Sequence, residues 1–369
     1  MQLSFQHLFF TLAFGVLVVA IMVVAKSILI PLGLALLLAF ILHPLHKRLK
    51  RKKIGNIGAA ITVLLSFFLI LIGVLTFFSA EIISLSDQLT DFGEKLMRVF
   101  TDSVVFINEN LSFLGNFDKD QLLEDGKAWI KDGAAGLLGK TFSNTASILT
   151  GLFTVIIYTF LFLIYKDGLV SAFMRFAPEE KETQYLKMLM KIQKVGQKYL
   201  SGMLTLILIL GLANSTGLWI IGLDSPFLFG FLAATLSIIP YIGTTLGATI
   251  PVLYAFMSKD ELWVPIAVAG MFWLIQVIES NFLSPKVVGS SVNVNAFAAI
   301  LSLIIGASVW GVAGMVLFLP FAAMLKVICE NYIPLQPLAL LIGDDQFNKS
   351  QQSNDGPSFF KKIKKKIMG

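Results

Sequence analysis

Apolar runs separated by short polar breaks fill most of this 369-residue chain. A membrane-crossing helix needs about 17–25 apolar residues, and the runs of that length lie at 8–25, 28–45, 57–80, 146–165, 203–221 and 262–283. Two further pairs of runs meet at short interruptions, 226–239 with 243–256 and 297–308 with 309–325. The pattern predicts an all-α polytopic membrane protein with about 6–8 transmembrane helices, some of them interrupted or re-entrant.

Composition supports this class. Hydrophobic residues make up 56% of the chain and charged residues 14%, whereas soluble domains carry about 25% charge. The single cysteine, Cys329, excludes a disulfide within the chain, and three histidines offer little material for a metal site. We expect no metal and no cofactor. The basic residues stand in blocks beside apolar runs, a placement typical of membrane topology and not of nucleic-acid binding.

Charge predicts the orientation and divides the chain. Six of the seven residues at 47–53 are basic, which marks a cytoplasmic loop and places both termini in the cytoplasm. The predicted segments are 1–80, N-terminal helices with the basic loop; 81–140, an external polar and amphipathic helical insert; 141–200, a transmembrane helix and a cytoplasmic amphipathic helix; 201–335, a transport core; and 336–369, a cytoplasmic basic tail.

The cytoplasmic amphipathic helix carries a lysine stripe beside an apolar one. The lysines recur at helical spacing, at Lys187, Lys191, Lys194 and Lys198. Such a helix is expected to lie on an anionic membrane face with its lysines among the headgroups. A regulatory or partner-binding helix is the alternative.

The interrupted pairs predict the transport site. Short apolar segments broken by glycine or proline, and occurring twice, are the best sequence indication of a binding site in a secondary transporter. Each pair is either a re-entrant hairpin or one broken span. The residues expected to break or gate these helices are Pro240, Gly243, Pro285, Gly289, Gly306, Gly311, Gly314 and Pro320.

Polar residues inside the apolar runs are the candidate pathway residues. A carboxylate at the bilayer centre costs about 2.5–3.5 kcal/mol on insertion scales, so it normally faces water or a partner. Glu279 is the carboxylate well inside an apolar segment, and it is expected to bind a proton or the solute. The alternative is a structural pair with Lys286 or with a backbone N–H. The other candidates are Gln276, Asn281, Asn214 and Asn295.

Several blocks together resemble the autoinducer-2 exporter (AI-2E) family of bacterial inner-membrane transporters. The blocks are Pro240-Tyr241-Ile242-Gly243, Ser284-Pro285-Lys286-Val287-Val288-Gly289, Trp310-Gly311-Val312-Ala313-Gly314-Met315 and Pro320-Phe321-Ala322-Ala323. The resemblance covers roughly residues 10 to 335. It implies a homo-oligomeric exporter of a small polar solute such as autoinducer-2, with sodium/proton antiport as an alternative and H⁺ or Na⁺ as a possible coupling ion.

Other classes fit less well. The chain lacks the His-Glu-x-x-His motif of metalloproteases and the phosphate-binding loop of ATP-driven pumps. The second half holds no histidine to activate a serine. We therefore expect that the protein is not an enzyme. A non-transporting membrane scaffold is the hypothesis that competes with a transporter.

Overall fold

The computed structural model describes residues 5–79, 149–239, 242–259, 261–289 and 294–343. The predicted external insert and the tail from residue 344 onward lie outside the described residues, as does Pro240.

The described residues are almost entirely helical, as the apolar pattern predicts. Bilayer-spanning backbone must satisfy its own hydrogen bonds, and a helix does so within one segment. The α-helices are α1 Phe5–Val24, α2 Lys26–Arg51, α3 Asn56–Ser79, α4 Leu149–Met174, α5 Glu182–Ile221, α6 Pro226–Leu236, α7 Ile242–Ser258, α8 Trp263–Ile278, α9 Ala296–Asn331 and α10 Gln336–Ile342. Six helical segments in this part of the chain are long and apolar enough to cross a membrane, which confirms the polytopic α-helical class.

Two boundaries differ from the sequence expectation. The basic amphipathic helix and the fifth span form one continuous helix, the 40-residue α5. The junction at 199–204 contains no proline, and its single glycine, Gly202, is tolerated within the helix. Helix α8 ends at Ile278, earlier than expected, and continues as two π-helical segments, Glu279–Leu283 and Pro285–Gly289. Pro285, which lacks an N–H, begins the second of these segments.

The chain forms two compact units, each built from separate stretches of sequence. The first unit contains Met1–Pro44, Leu161–Met203 and Ser284–Gly369; the second contains Leu45–Phe160 and Leu204–Leu283. In the second unit, the core is formed by side chains of α5 to α8, among them Leu218, Phe229, Tyr254, Val268 and Phe272. In the first unit, Leu37, Trp310, Leu317 and Met324 form the centre of a separate core.

Both interrupted pairs are antiparallel helical hairpins. We call α6 with α7 hairpin A, and the two arms of α9, 296–310 and 312–331, hairpin B. In hairpin B the chain reverses at Gly311, where φ is 60° and ψ is −138°, a conformation that glycine adopts without the steric cost of a Cβ. The alternative of broken spans that continue in one direction is therefore not what this protein uses.

Candidate functional site

Hairpin A is held closed along its whole length. At its base, Lys259 Nζ lies 3.2 Å from Asp224 Oδ2. Midway, the rings of Phe229 and Tyr254 pack with centroids 4.7 Å apart and planes tilted by 38°. Near the tip, the Cα of Gly243 packs directly against the backbone carbonyl of Leu236, leaving no room for a side chain. The expected close approach at Gly243 is therefore present, and it is made backbone to backbone.

Glu279 continues the buried face of α8. Its exposed fraction is 8%, and the buried positions Val264, Val268 and Phe272 precede it at helical spacing. Helix α8 packs on α7 after a four-residue connection, so the two helices run antiparallel. Sixteen residues separate Trp263 from Glu279, about 24 Å of helix. The same distance back along α7 from Ser258 reaches the tip of hairpin A, so Glu279 lies at the level of that tip.

The neighbouring polar residues of α8 do not share this burial. Gln276, Ser280 and Asn281 are exposed in the isolated chain. The Asn281 amide nitrogen donates to the Val277 carbonyl at 2.8 Å, within its own helix. Among these polar residues at 276–281, Glu279 is buried and the others are exposed, so they do not share one buried face.

Asn214 lies deeper in the same unit, together with Ser215, which was not among the candidate site residues. The exposed fractions are 4% for Asn214 and 0% for Ser215. Within the described residues, Asn214 Oδ1 and Ser215 Oγ have no hydrogen-bond partner. The Cα of Gly230 in hairpin A packs against Ser215. Leaving such groups unsatisfied costs about 1–3 kcal/mol each, so their presence in an apolar helix calls for a function.

Helix register relates this pair to Glu279. Gly217 contacts Met271 of α8, which places Asn214 and Ser215 near the middle of α8. Glu279 lies eight residues beyond Met271 along that helix, about 12 Å nearer the tip of hairpin A. Polar groups of the second unit therefore occur at three levels: the base of hairpin A, the Asn214–Ser215 pair, and Glu279.

Hairpin B uses its predicted helix-break residues in distinct ways. Gly306 and Gly314 press their backbones together across the two arms, which small residues permit. Gly311 forms the turn itself, and Pro320 is fully buried in the return arm. Beside the turn, Trp310 Nε1 donates to the Met22 carbonyl at 2.9 Å. Pro285 and Gly289 lie in the second π-helical segment, outside this hairpin.

Asn295 is fully engaged at the start of hairpin B. Its Oδ1 accepts from the Ala298 N–H at 2.8 Å, capping the first arm. Its Nδ2 donates to the carbonyls of Leu341 at 2.8 Å and Gly343 at 2.9 Å. Both donor hydrogens of the amide are thereby used, so Asn295 ties the beginning of hairpin B to the end of α10.

The lysine stripe of α5, defined as Lys187, Lys191, Lys194 and Lys198, is exposed along its length. The neighbouring apolar stripe packs inside the first unit, where Ile192 and Val195 contact the core. Lys191 Nζ lies 3.9 Å from Glu330 Oε2, and Lys326 Nζ lies 3.6 Å from Glu330 Oε1. In the described part of the chain, three acidic or basic side chains are buried: His46, Glu279 and Lys326.

Sequence reasoning missed Lys326 and Ser215. Lys326 interrupts an apolar run in the same manner as Glu279, and this was the available signal. Ser215 gave no signal beyond its place next to Asn214. Among the residues that the structure describes, no group of three or more His, Cys, Asp or Glu side chains is arranged to hold a metal ion.

Comparisons with known proteins agree on one family. The profile described as "AI-2E family transporter" matches residues 9–334. "Putative transport protein YhhT" of Escherichia coli is 26% identical over 92% of this chain and 94% of its own length. "Putative transport protein YueF" of Bacillus subtilis is 27% identical over 84% and 85%. "AI-2 transport protein TqsA" of Escherichia coli is 23% identical over 87% and 90%.

Proposed function

Because the chain belongs to the AI-2E family of transporters, we propose that it is a secondary transporter that exports a small polar solute. A multi-pass helical membrane protein of this family needs a polar site that the bilayer does not reach. The observation that carries the proposal is the buried carboxylate of Glu279, placed where α8 changes to π-helix and level with the tip of hairpin A. π-Helical turns are rare and are frequent at functional sites.

We assign proton coupling to Glu279. A carboxylate exchanges one proton and, in doing so, gains or loses the charge that is costly inside the membrane. A change in protonation therefore alters the free energy of keeping the Glu279 side chain buried beside hairpin A. Coupling follows if the solute-bound and solute-free arrangements of the tip favour different protonation states of this one group.

Asn214 and Ser215 are the second element of the proposed pathway. Their oxygens have no protein hydrogen-bond partner in the described structure, so they are available to a polar solute or to water once hairpin A shifts away from α5. The contact between Gly230 and Ser215 closes this position in the present arrangement. Gln276 and Asn281, which are exposed, are proposed to face the outer part of the same route.

The solute to test first is autoinducer-2, because a relative that covers most of the chain is named an AI-2 transport protein. We further propose that the protein resides in the bacterial inner membrane as a homo-oligomer, with both termini cytoplasmic. The basic loop at 47–53 supports this orientation.

Reconstitution into vesicles tests the proposal. The purified full-length protein is placed in liposomes with an imposed proton gradient, and uptake or release of labelled autoinducer-2 is followed, with sodium in a parallel experiment. Solute flux that depends on the gradient is expected. Sodium movement without solute movement would favour the antiporter alternative. A protein that moves neither probe nor any of a panel of polar metabolites would favour the scaffold.

A further inference from the structure

The first unit contains an apolar cleft next to the lysine stripe of α5. The cleft has a volume of about 250 Å³. Its apolar walls are Tyr185 and Met188 from α5, Ile328 from the return arm of hairpin B, and Tyr332 and Leu335 just beyond that arm. The Gln184 amide donates to the Asn331 carbonyl at 3.4 Å, which links the same two elements.

We propose that this cleft holds part of an acyl chain of one anionic phospholipid, whose headgroup binds Lys187 and Lys191. The proposal concerns a resident lipid of the first unit and is separate from the transport pathway assigned to the second.

Charge complementarity selects the headgroup. Gln184, Lys187, Met188 and Lys191 follow one another at helical spacing, so the lysines border the cleft on the same side of α5. Two acidic side chains lie near the cleft: Glu182 in the first turn of α5, and Glu330, which lies 3.6 Å from Lys326 and 3.9 Å from Lys191. The four lysines of the stripe and Lys326 outnumber them. The lysine stripe therefore presents net positive charge, and an anionic headgroup fits it while a zwitterionic one gains less.

The surroundings place the cleft at a membrane interface. Beyond hairpin B, Ile333 has an exposed fraction of 74% and Leu341 of 57%. Exposed apolar side chains beside exposed lysines are the pattern of a surface at the boundary between acyl chains and headgroups. Lysine stems can lie along the apolar part while their ammonium groups reach phosphate.

Size and charge argue against other occupants. Pockets for drug-sized molecules measure about 300–1,000 Å³, so the cleft is too small for a ligand of that size. Its mainly apolar walls suit a segment of one acyl chain better than a small polar solute. The C-terminal tail carries five lysines at 361, 362, 364, 365 and 366. Those charges repel the lysine stripe, which disfavours the tail as the occupant.

Lipid retention by the full-length protein tests the proposal directly. The protein is purified in detergent, supplied with phosphatidylglycerol or phosphatidylcholine, and examined by native mass spectrometry. We expect one phosphatidylglycerol to be retained in preference to phosphatidylcholine. Lys187→Gln combined with Lys191→Gln should weaken retention about 30-fold, since each lysine near an anionic headgroup contributes about 1 kcal/mol and 1.4 kcal/mol is tenfold.

Two further variants distinguish a specific site from general attraction. Met188→Trp fills the cleft and leaves every charge in place, so it should also reduce retention. Lys47→Gln combined with Lys52→Gln removes two exposed charges from the basic loop and should leave retention unchanged. Free glycerol phosphate should not compete with the lipid, because it lacks the acyl chain.

Three results would overturn the proposal. The first is equal retention of the two lipids. The second is an equal loss in the loop variant and the cleft variants, which would indicate diffuse attraction to the basic surface. The third is a change of oligomer size, without loss of lipid, in Met188→Trp, which would show that a second copy of the chain occupies the cleft.

Discussion

Replacing Asn295 separates a structural clamp from a residue of the transport pathway. The side chain makes three hydrogen bonds of 2.8–2.9 Å, one to the first arm of hairpin B and two to the end of α10. A typical hydrogen bond contributes about 0.5–1.5 kcal/mol net, so Asn295→Ala should lose about 3 kcal/mol of local stability. At 1.4 kcal/mol per tenfold, this is about a 100-fold increase in local opening.

Hydrogen exchange is the assay, because it reports local opening segment by segment. In Asn295→Ala, the amides of 296–300 and of 336–343 should both exchange faster, while α2 and α8 remain unchanged. Asn295→Asp keeps an oxygen acceptor for the Ala298 N–H but removes both donors. Exchange should then rise at 336–343 and stay close to wild type at 296–300.

A matched control comes from the other end of α9. Asn331 Nδ2 donates to the Val327 carbonyl at 2.7 Å, within its own helix. Asn331→Ala should therefore leave exchange at 336–343 nearly unchanged. Unaltered exchange at 336–343 in both Asn295 variants would refute the clamp. If those variants also lost solute flux, Asn295 would be a residue of the pathway, as its position in an apolar region first suggested.

Two more predictions concern hairpin A and the orientation. Gly243→Ala should reduce flux at least tenfold in a protein that still inserts, because the new methyl meets the backbone of Leu236 and such overpacking costs about 1–3 kcal/mol. Gly270→Ala, on an open face of α8, is the control and should transport normally. Equal flux in the two variants would contradict the expected role of the tip. A single cysteine at Asn116, in a Cys329→Ser background, should react with an impermeant thiol reagent added outside the cell, and labelling only from the cytoplasm would reverse the orientation.

The helices were predictable from sequence because their signal is a long uninterrupted apolar run. The direction of the chain after each interruption was not, since a run of 12 to 17 residues fits a half-span or a hairpin arm equally well. Gly311 shows the difficulty: the pattern predicts that it breaks or gates a helix, but does not indicate that the chain reverses there. The function of this glycine depends on a backbone angle that no local pattern specifies.

The candidate site was predictable only in part. Glu279 stood out because one carboxylate in an apolar run is rare and costly. Gln276 is three residues from Glu279, yet Gln276 is exposed and Glu279 is buried, a difference that spacing along the sequence does not reveal. Asn295 looked like a pathway residue because its hydrogen-bond partners are not apparent from the sequence. Two of the three, Leu341 and Gly343, are more than 40 residues away along the chain.

The pH dependence of flux in Glu279→Gln tests the central claim most directly. The substitution removes the ionisable group and nearly preserves its shape, and Asp224→Asn, at the base of the same hairpin, is the matched control. Thermal stability, oligomer size and flux of the solute carried by the wild type are measured together across pH. We predict a stable Glu279→Gln protein whose flux no longer varies with pH, and an Asp224→Asn protein that keeps the wild-type profile. Two results would contradict the account. The first is a stable Glu279→Gln protein with the normal pH profile of flux. The second is a Glu279→Gln protein that loses about 3–5 kcal/mol of stability, as a broken buried pair would, while its remaining flux keeps the normal pH profile.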